Sequence, residues 1–441
     1  MLIRFVVSNF LSFNEEKEFN MIAGNFKTHK HHVYAAGKLN ILKASAIYGA
    51  NGAGKSNLIK AFHYFQEIVR NGTSIIVDEK KFRLNKTNKN KPICFEIEFS
   101  VDKKFYSYGL KINESNITEE WLYESGITKD DKLIFERTNS DSGKVVLNIA
   151  DKFKRNPKQK LLFEVTGENF LKKDKTLLGL AENLKIDEIL KARNWILHNM
   201  TVIFPESKFG GLFDAIKKST SFNSLANEIL DYCGTGVSEL DIETIEFEKF
   251  FYNEDDDLKN SLLLGLKTNK SFPFLSEKGF VLITKEDKKN VVKKVISKHK
   301  DNVGLSIAFN LTEESDGTQR LLDLIPAFNL IMEDEVTFIV DEIDRSLHPA
   351  LLKSLISIIM AKTNTRGQLI FTTHESNLLD MNIFRQDEIW FAEKDIDTGE
   401  TQLYSLSEFK PRYDLDIQKG YLNGRFGAVP FLAKLEDLNW A

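Results

Sequence analysis

The sequence predicts an α/β protein, and three observations carry that prediction. A short apolar strand over Ala44–Tyr48 runs through a glycine-rich loop into an amphipathic helix. A continuous apolar run, Val336 to Val340, ends in Asp341 and Glu342, as a buried parallel strand would. From residue 301 to residue 441, helix and strand patterns alternate.

Composition bounds the rest. The chain has 441 residues, 42% hydrophobic and 28% charged, which excludes global disorder. Lys and Arg total 60 against 64 Asp and Glu, a net charge of −4, so nothing global marks a nucleic-acid binder. Cys94 and Cys233 are the only cysteines, which excludes a disulfide framework and suits a reducing compartment. The N-terminus has no signal-peptide pattern, and no run of about 18 apolar residues occurs. The expectation is a cytoplasmic protein with no membrane contact.

Three zones differ in texture. Residues 1–150 read as strand-rich: Leu2–Val7 is apolar, and Phe95–Phe99 and Phe105–Ile112 alternate around a turn at Asp102-Lys103-Lys104. Residues 151–300 read as a mostly helical insertion, especially 160–197, with a hairpin at 280–284 and 291–296. Residues 301–441 form the second α/β zone.

Gly49-Ala50-Asn51-Gly52-Ala53-Gly54-Lys55-Ser56 fits G-x-x-x-x-G-K-[ST] in the context that motif needs. The glycines let successive backbone N–H groups face phosphate oxygens, and the helix start adds partial positive charge. Lys55 would reach the β- and γ-phosphates, and the Ser56 hydroxyl would ligate Mg²⁺. Leu58, Ile59, Phe62, Phe65 and Val69 recur at helical spacing behind it. Asp341 should sit beside Ser56 and hold Mg²⁺ through water, and Glu342 is placed to polarise an attacking water. A third segment, Glu314-Ser315-Asp316-Gly317-Thr318-Gln319-Arg320, precedes an apolar helix that Pro326 should bend. Ser315 and Gly317 offer a second anion site, although Ser-x-Gly is also a plain helix cap. A fourth, Leu369 to Thr373, ends in His374, which could bond a γ-phosphate or orient water.

Taken together, order and spacing resemble the ABC-type ATPase heads of the RecF, Rad50 and SMC group. Their Walker A, signature, Walker B, D-loop and H-loop match Gly49–Ser56, Ser315–Arg320, Asp341-Glu342, Ser346-Leu347-His348-Pro349 and His374. The opening Ile3-Arg4-Phe5-Val6-Val7-Ser8-Asn9-Phe10-Leu11-Ser12-Phe13 is similar to their first strand. The signature looks most like that of the AAA15-type bacterial ATPases related to the overcoming-lysogenization-defect family. The resemblance implies a head with a mixed first lobe (1–150), an insertion (151–300) and a parallel second lobe (301–441). It implies ATP and Mg²⁺ as ligands, held by Asn51, Gly52, Ala53, Gly54, Lys55, Ser56 and Asn57, with Ser315 and Gly317 of a second copy closing the site. Catalysis would rest on Glu342, His374 and Lys55. Relatives often work in anti-phage complexes with a separate effector or nuclease, so a homodimer or larger homo-oligomer and a protein partner are expected. The alternatives are a DNA-processing ATPase acting directly on DNA and an ATP-bound structural scaffold with little turnover.

Some features fit less well. The Gln that ABC heads place near Mg²⁺ is not evident: Gln66 reads as surface, and Gln159 lies in a Lys-rich stretch. The 67 residues after His374 are too few for the nuclease domain of longer relatives, so no intrinsic nuclease is expected. Glu254 to Asp257 reads as a solvated turn rather than a metal cluster. Lys285 to Lys300 carries seven Lys against two acids, which suits either a solvated hairpin or phosphate-backbone contact. Gly420 to Phe431, rich in glycine and aromatics, should dock on its own domain or on a partner.

Overall fold

Alternating side chains build the first sheet. Ile93–Val101 buries every second residue as far as Phe99, Lys104–Asn113 is buried continuously from Tyr106 to Leu110, and the two pair antiparallel around Asp102-Lys103. Those two residues have φ of 50° and 62°, the left-handed pair of a tight hairpin turn whose twist matches the strands. The pattern extends further than the sequence suggested, because Asn116–Ser125, Lys132–Asn139 and Val145–Ile149 continue the meander. The result is a seven-stranded antiparallel sheet, closed at its other edge by Leu2–Ser8 and Lys17–Asn20. The computed structural model describes residues 1–73, 78–126, 130–139, 145–208, 212–276, 279–412 and 415–429.

The second sheet has six strands, in the order Met200–Ile203, Thr337–Val340, Gln368–Thr372, Ala44–Tyr48, Ile389–Lys394 and Thr401–Ser405. Its neighbours are parallel except the last pair. The strand before the glycine loop therefore lies in the same sheet as the strands ending at Asp341 and Thr372, and not in a separate first lobe. The helix Lys55–Asn71 packs its apolar stripe on the antiparallel sheet: Phe62 stacks on Phe5 at 3.9 Å, and Phe65 meets Phe95 and Tyr108.

The chain divides into two compact units: 1–205 with 331–344 and 353–441, and 206–330 with 345–352. The break falls at 205, not at 150. Residues 151–199 are helical as expected, but they belong to the first unit. The second unit is not mostly helical. It holds an antiparallel sheet of Val237–Glu246, Lys289–Lys300, Gly279–Glu286 and Ser271–Ser276, with Ser306–Asn310 on the free end of Lys289–Lys300. Val237–Glu246 hides from sequence reading because its charged side chains are matched only by a distant strand. Lys298 pairs with Glu239 and Asp241, Lys294 with Glu243, and Lys289 with Glu246. Asp255 caps the helix Asp256–Thr268, so the acidic run is a helix start, with Asp256 solvated. Helix Asp316–Glu333 passes through Pro326 without a break.

Tyr421 and Phe426 both stack on Phe391, and the Tyr404 hydroxyl donates to the Phe426 carbonyl. The aromatic segment after 420 thus docks on its own unit; its residues 430–431 lie outside the described residues. Among the described residues, no helix is long and apolar enough to cross a membrane.

One buried amide joins the two sheets. Gln368 Oε1 accepts from the Leu2 N–H and from Thr337 Oγ1, while Nε2 donates to the Leu2 and Leu42 carbonyls. Replacing Gln368 by Leu keeps the volume but strands these groups in a dry interior. The expected loss is about 3 kcal/mol in urea unfolding; a loss of roughly 1 kcal/mol or less would show that the amide is not the tie.

Candidate nucleotide site

Parallel strands present their C-terminal ends on one edge, where ligands of open α/β sheets bind. Tyr48, Val340 and Thr372 end there together. The helix begins directly at Lys55, with Gly54 at its cap at φ 105°. Only glycine fits: a Cβ on Gly54 would lie 1.9 Å from Thr401 Oγ1. Thr401 Oγ1 donates to the Ala53 carbonyl and lies 2.7 Å from Ser12 Oγ, which accepts from Asn57 Nδ2. Ser12 and Thr401 thus prop the loop from behind, while Asn51 and Gly52 stay exposed at its tip.

Lys55 is buried, and its ammonium donates to the Gly49 carbonyl at 2.7 Å and the Ala50 carbonyl at 3.2 Å. Burial lowers its pKa to about 8, against the opposing pull of Asp344, Asp341 and Glu342. Ser56 Oγ donates to Asp341 Oδ1 at 3.1 Å, and Thr372 Oγ1 donates to the same oxygen at 2.6 Å. Thr372 also accepts the Glu342 N–H at 2.8 Å, which holds Glu342 at φ 47°, in the left-handed region. Such strain in a non-glycine residue is found where function demands a set direction. His374 Nδ1 lies 3.4 Å from the Lys55 ammonium. Partial burial and that ammonium push its pKa down, so the ring is neutral and Nδ1 is the acceptor. Asp344 accepts the His374 N–H at 3.3 Å.

The structure therefore gathers Lys55, Ser56, Asp341, Glu342 and His374 within one unit. Ser315 and Gly317 belong to the second unit. There Ser315 Oγ caps its own helix by accepting the Thr318 N–H, and a Cβ on Gly317 would meet the Ser346 carbonyl at 2.8 Å. Gln66 is not on the surface. It is buried, and its amide donates to the Ile196 and Met200 carbonyls, because its helix is covered on that side too. The strand beside Asp341 ends at Ile203, followed by Phe204-Pro205-Glu206 with no Gln. Sequence reading missed Thr372, Asp344, Ser12 and Thr401. Thr372 and Asp344 carried a signal, since each stands two residues from a motif residue.

The residues fit a triphosphate with its Mg²⁺. The Ser56 hydroxyl and the Asp341 carboxylate, 3.1 Å apart, are the hard oxygen donors that Mg²⁺ takes, directly or through water. Gly52 opens toward free space, and Lys55 can exchange loop carbonyls for phosphate oxygens.

Two predictions follow from this geometry. Charged Lys55 is the binding form, so affinity for Mg-ATP is full below about pH 8 and falls as pH rises through it, by up to about tenfold per unit. Fluorescent-nucleotide titrations from neutral to alkaline pH test this, and a flat profile would remove Lys55 from phosphate binding. Thr372→Val keeps shape but frees Asp341 and Glu342. Phosphate release should slow by about 10–100-fold with thermal stability nearly unchanged; an unaltered rate would reduce Thr372 to packing.

No curated protein matches the sequence. Solved structures that resemble the chain at low identity include three SMC heads. An SMC head bound to the C-winged helix domain of ScpA is 14% identical, covers 93% of this chain and 99% of that one, and has a TM-score of 0.45. The SMC head domain from Thermotoga maritima is 12% identical over 92% and 98%, at 0.35. The Smc head with an extended coiled coil bound to the C-terminal domain of ScpA, from Pyrococcus furiosus, is 15% identical over 93% and 97%, at 0.41. One family model matches residues 44–380, a span running from the strand before the glycine loop to beyond His374. By that match, the chain belongs to the family described as "AAA domain, putative AbiEii toxin, Type IV TA system".

Proposed function

We propose that the protein is an ATP-hydrolysing switch whose nucleotide site is completed by a second copy, and that it controls a separate effector in an anti-phage defence complex. The observation that carries the reading is the convergence of Lys55, Ser56, Asp341, Glu342 and His374 at one sheet edge. Lys55 and the loop N–H groups hold the β- and γ-phosphates, and Ser56 and Asp341 hold Mg²⁺. Mg²⁺ neutralises phosphate charge when bound. Glu342 orients a water in line with the γ-phosphate, and neutral His374 accepts a hydrogen bond from that water or donates one to a phosphate oxygen. Ser315 and Gly317, at a helix start, face the γ-phosphate of the other copy. The toxin–antitoxin association in the family's description supports a defence role over housekeeping chemistry.

The DNA-processing alternative draws no support from the lysine-rich strand. Lys289, Lys293, Lys294 and Lys298 are each matched to a nearby carboxylate, so that surface is close to neutral rather than a phosphate track.

Solution mass of wild type and Glu342→Gln, with and without Mg-ATP, tests the proposal. The variant should bind ATP and gain a subunit that wild type loses on turnover, and added duplex DNA should leave the turnover rate unchanged. A strict monomer in every state would overturn the shared site. A DNA-stimulated rate would favour the alternative.

A further inference from the structure

Three histidines between the first strands and the glycine loop form a cluster that the nucleotide chemistry does not use. His29, His31 and His32 each offer a ring nitrogen, and these nitrogens lie within 4.8 Å of one another. The segment is built for this convergence. His29 takes φ 46°, a left-handed turn that folds the chain into the short helical turn Lys30–His32 and brings all three rings to one side. His29 stacks on His32 at 4.9 Å, and His31 meets His32 edge-on at 4.4 Å.

The surroundings have the parts of a metal site rather than of a simple polar contact. His31 Nε2 and His32 Nε2 both point at one oxygen, the Met360 carbonyl, at 3.0 Å each. Met360 lies in the last turn of helix Pro349–Ala361, where unpaired carbonyls and the helix dipole favour a positive charge. The other nitrogen of His32, Nδ1, lies 2.9 Å from the Glu388 carboxyl, which is fully buried and also accepts the Arg385 N–H. A carboxylate on the far nitrogen of an imidazole is the arrangement that orients metal-bound histidines. His29 and His31 are partly open to water, which leaves an entry path and a fourth ligand from solvent.

We propose that His29, His31 and His32 bind one divalent transition-metal ion, Zn²⁺ in the first instance, with Glu388 as the positioning carboxylate. Three imidazoles without thiolate suit Zn²⁺ and its neighbours, whereas Mg²⁺ and Ca²⁺ prefer oxygen. Zn–N bonds of about 2.0–2.1 Å place tetrahedral nitrogens roughly 3.4 Å apart, so small ring rotations close the present cluster onto an ion. On binding, His32 Nε2 releases its proton to solvent together with its bond to the Met360 carbonyl, the Glu388 carboxyl proton passes to His32 Nδ1, and His29 and His31, whose Nε2 atoms stand on the Met381 and Met360 carbonyls, ligate through whichever ring nitrogen carries no proton. Glu388 then accepts a hydrogen bond from Nδ1–H as a carboxylate. The ion would fasten the three imidazoles of the 29–32 turn to one another, with His32 anchored to Glu388.

The experiment uses the full chain without a histidine tag, stripped of metal and held in excess Mg²⁺ so that carboxylate sites are filled. Zn²⁺ is titrated against a chromophoric chelator, and Co²⁺ is followed by its visible absorption. The expected result is one Zn²⁺ per chain and an intense tetrahedral Co²⁺ spectrum. His29→Ala and His31→Ala should abolish both, Glu388→Gln should weaken Zn²⁺ by about 10–100-fold, and His198→Ala should change nothing. His31→Asn keeps a donor for the Met360 carbonyl and so preserves the fold if the alanine variant does not; it should still lose the metal. Absence of stoichiometric Zn²⁺ in the wild type, or equal binding by His31→Asn, would overturn the proposal and leave the histidines as caps of a helix end.

Discussion

One carboxylate oxygen organises the nucleotide site. Asp341 Oδ1 receives the Ser56 hydroxyl from the helix after the glycine loop and the Thr372 hydroxyl from the intervening strand. The Asp341 N–H is held in turn by the Ile203 carbonyl of the strand on its other side. Four chain segments from widely separated parts of the sequence thus meet at one residue that is almost fully buried. A buried, multiply bonded carboxylate is costly to disturb, because each lost partner leaves an unsatisfied polar group. The position of Ser56 and the strained backbone of Glu342 both depend on this knot.

Much of this was legible in the residues themselves. The loop, the lysine and the two carboxylates carry their chemistry in a short local pattern, and the structure brings them together as that pattern implies. What local patterns could not show was which elements share a sheet. The strand before the glycine loop pairs with strands more than 300 residues away, and nothing within Ala44–Tyr48 encodes that choice. Gln66 illustrates the same limit. On a helix buried on two sides, a polar residue on the apparently wet face becomes an internal donor to carbonyls that only the fold brings near.

The middle of the chain was misread for a related reason. Val237–Glu246 does alternate acids with Leu240 and Ile242 in the strand manner, but the pattern sits in a charged stretch that reads as solvated until its partner strand is known. Its acids are satisfied by lysines of Lys289–Lys300, so neither strand makes sense without the other. The same pairing removes the excess charge that first suggested phosphate contact. Like the histidine cluster against helix Pro349–Ala361, it is a non-local arrangement visible only once the chain is folded.

The central place of Ala44–Tyr48 has a consequence for how the protein is made. Its two sheet neighbours, Gln368–Thr372 and Ile389–Lys394, leave the ribosome more than 300 residues later. At typical elongation rates of about 5–20 residues per second, the nascent glycine loop waits tens of seconds without the strands that flank it. The antiparallel meander, whose hairpins are local, can form in that interval, whereas the phosphate-binding edge cannot. A growing chain is therefore inert toward nucleotide for most of its synthesis, and competence arrives late and all at once.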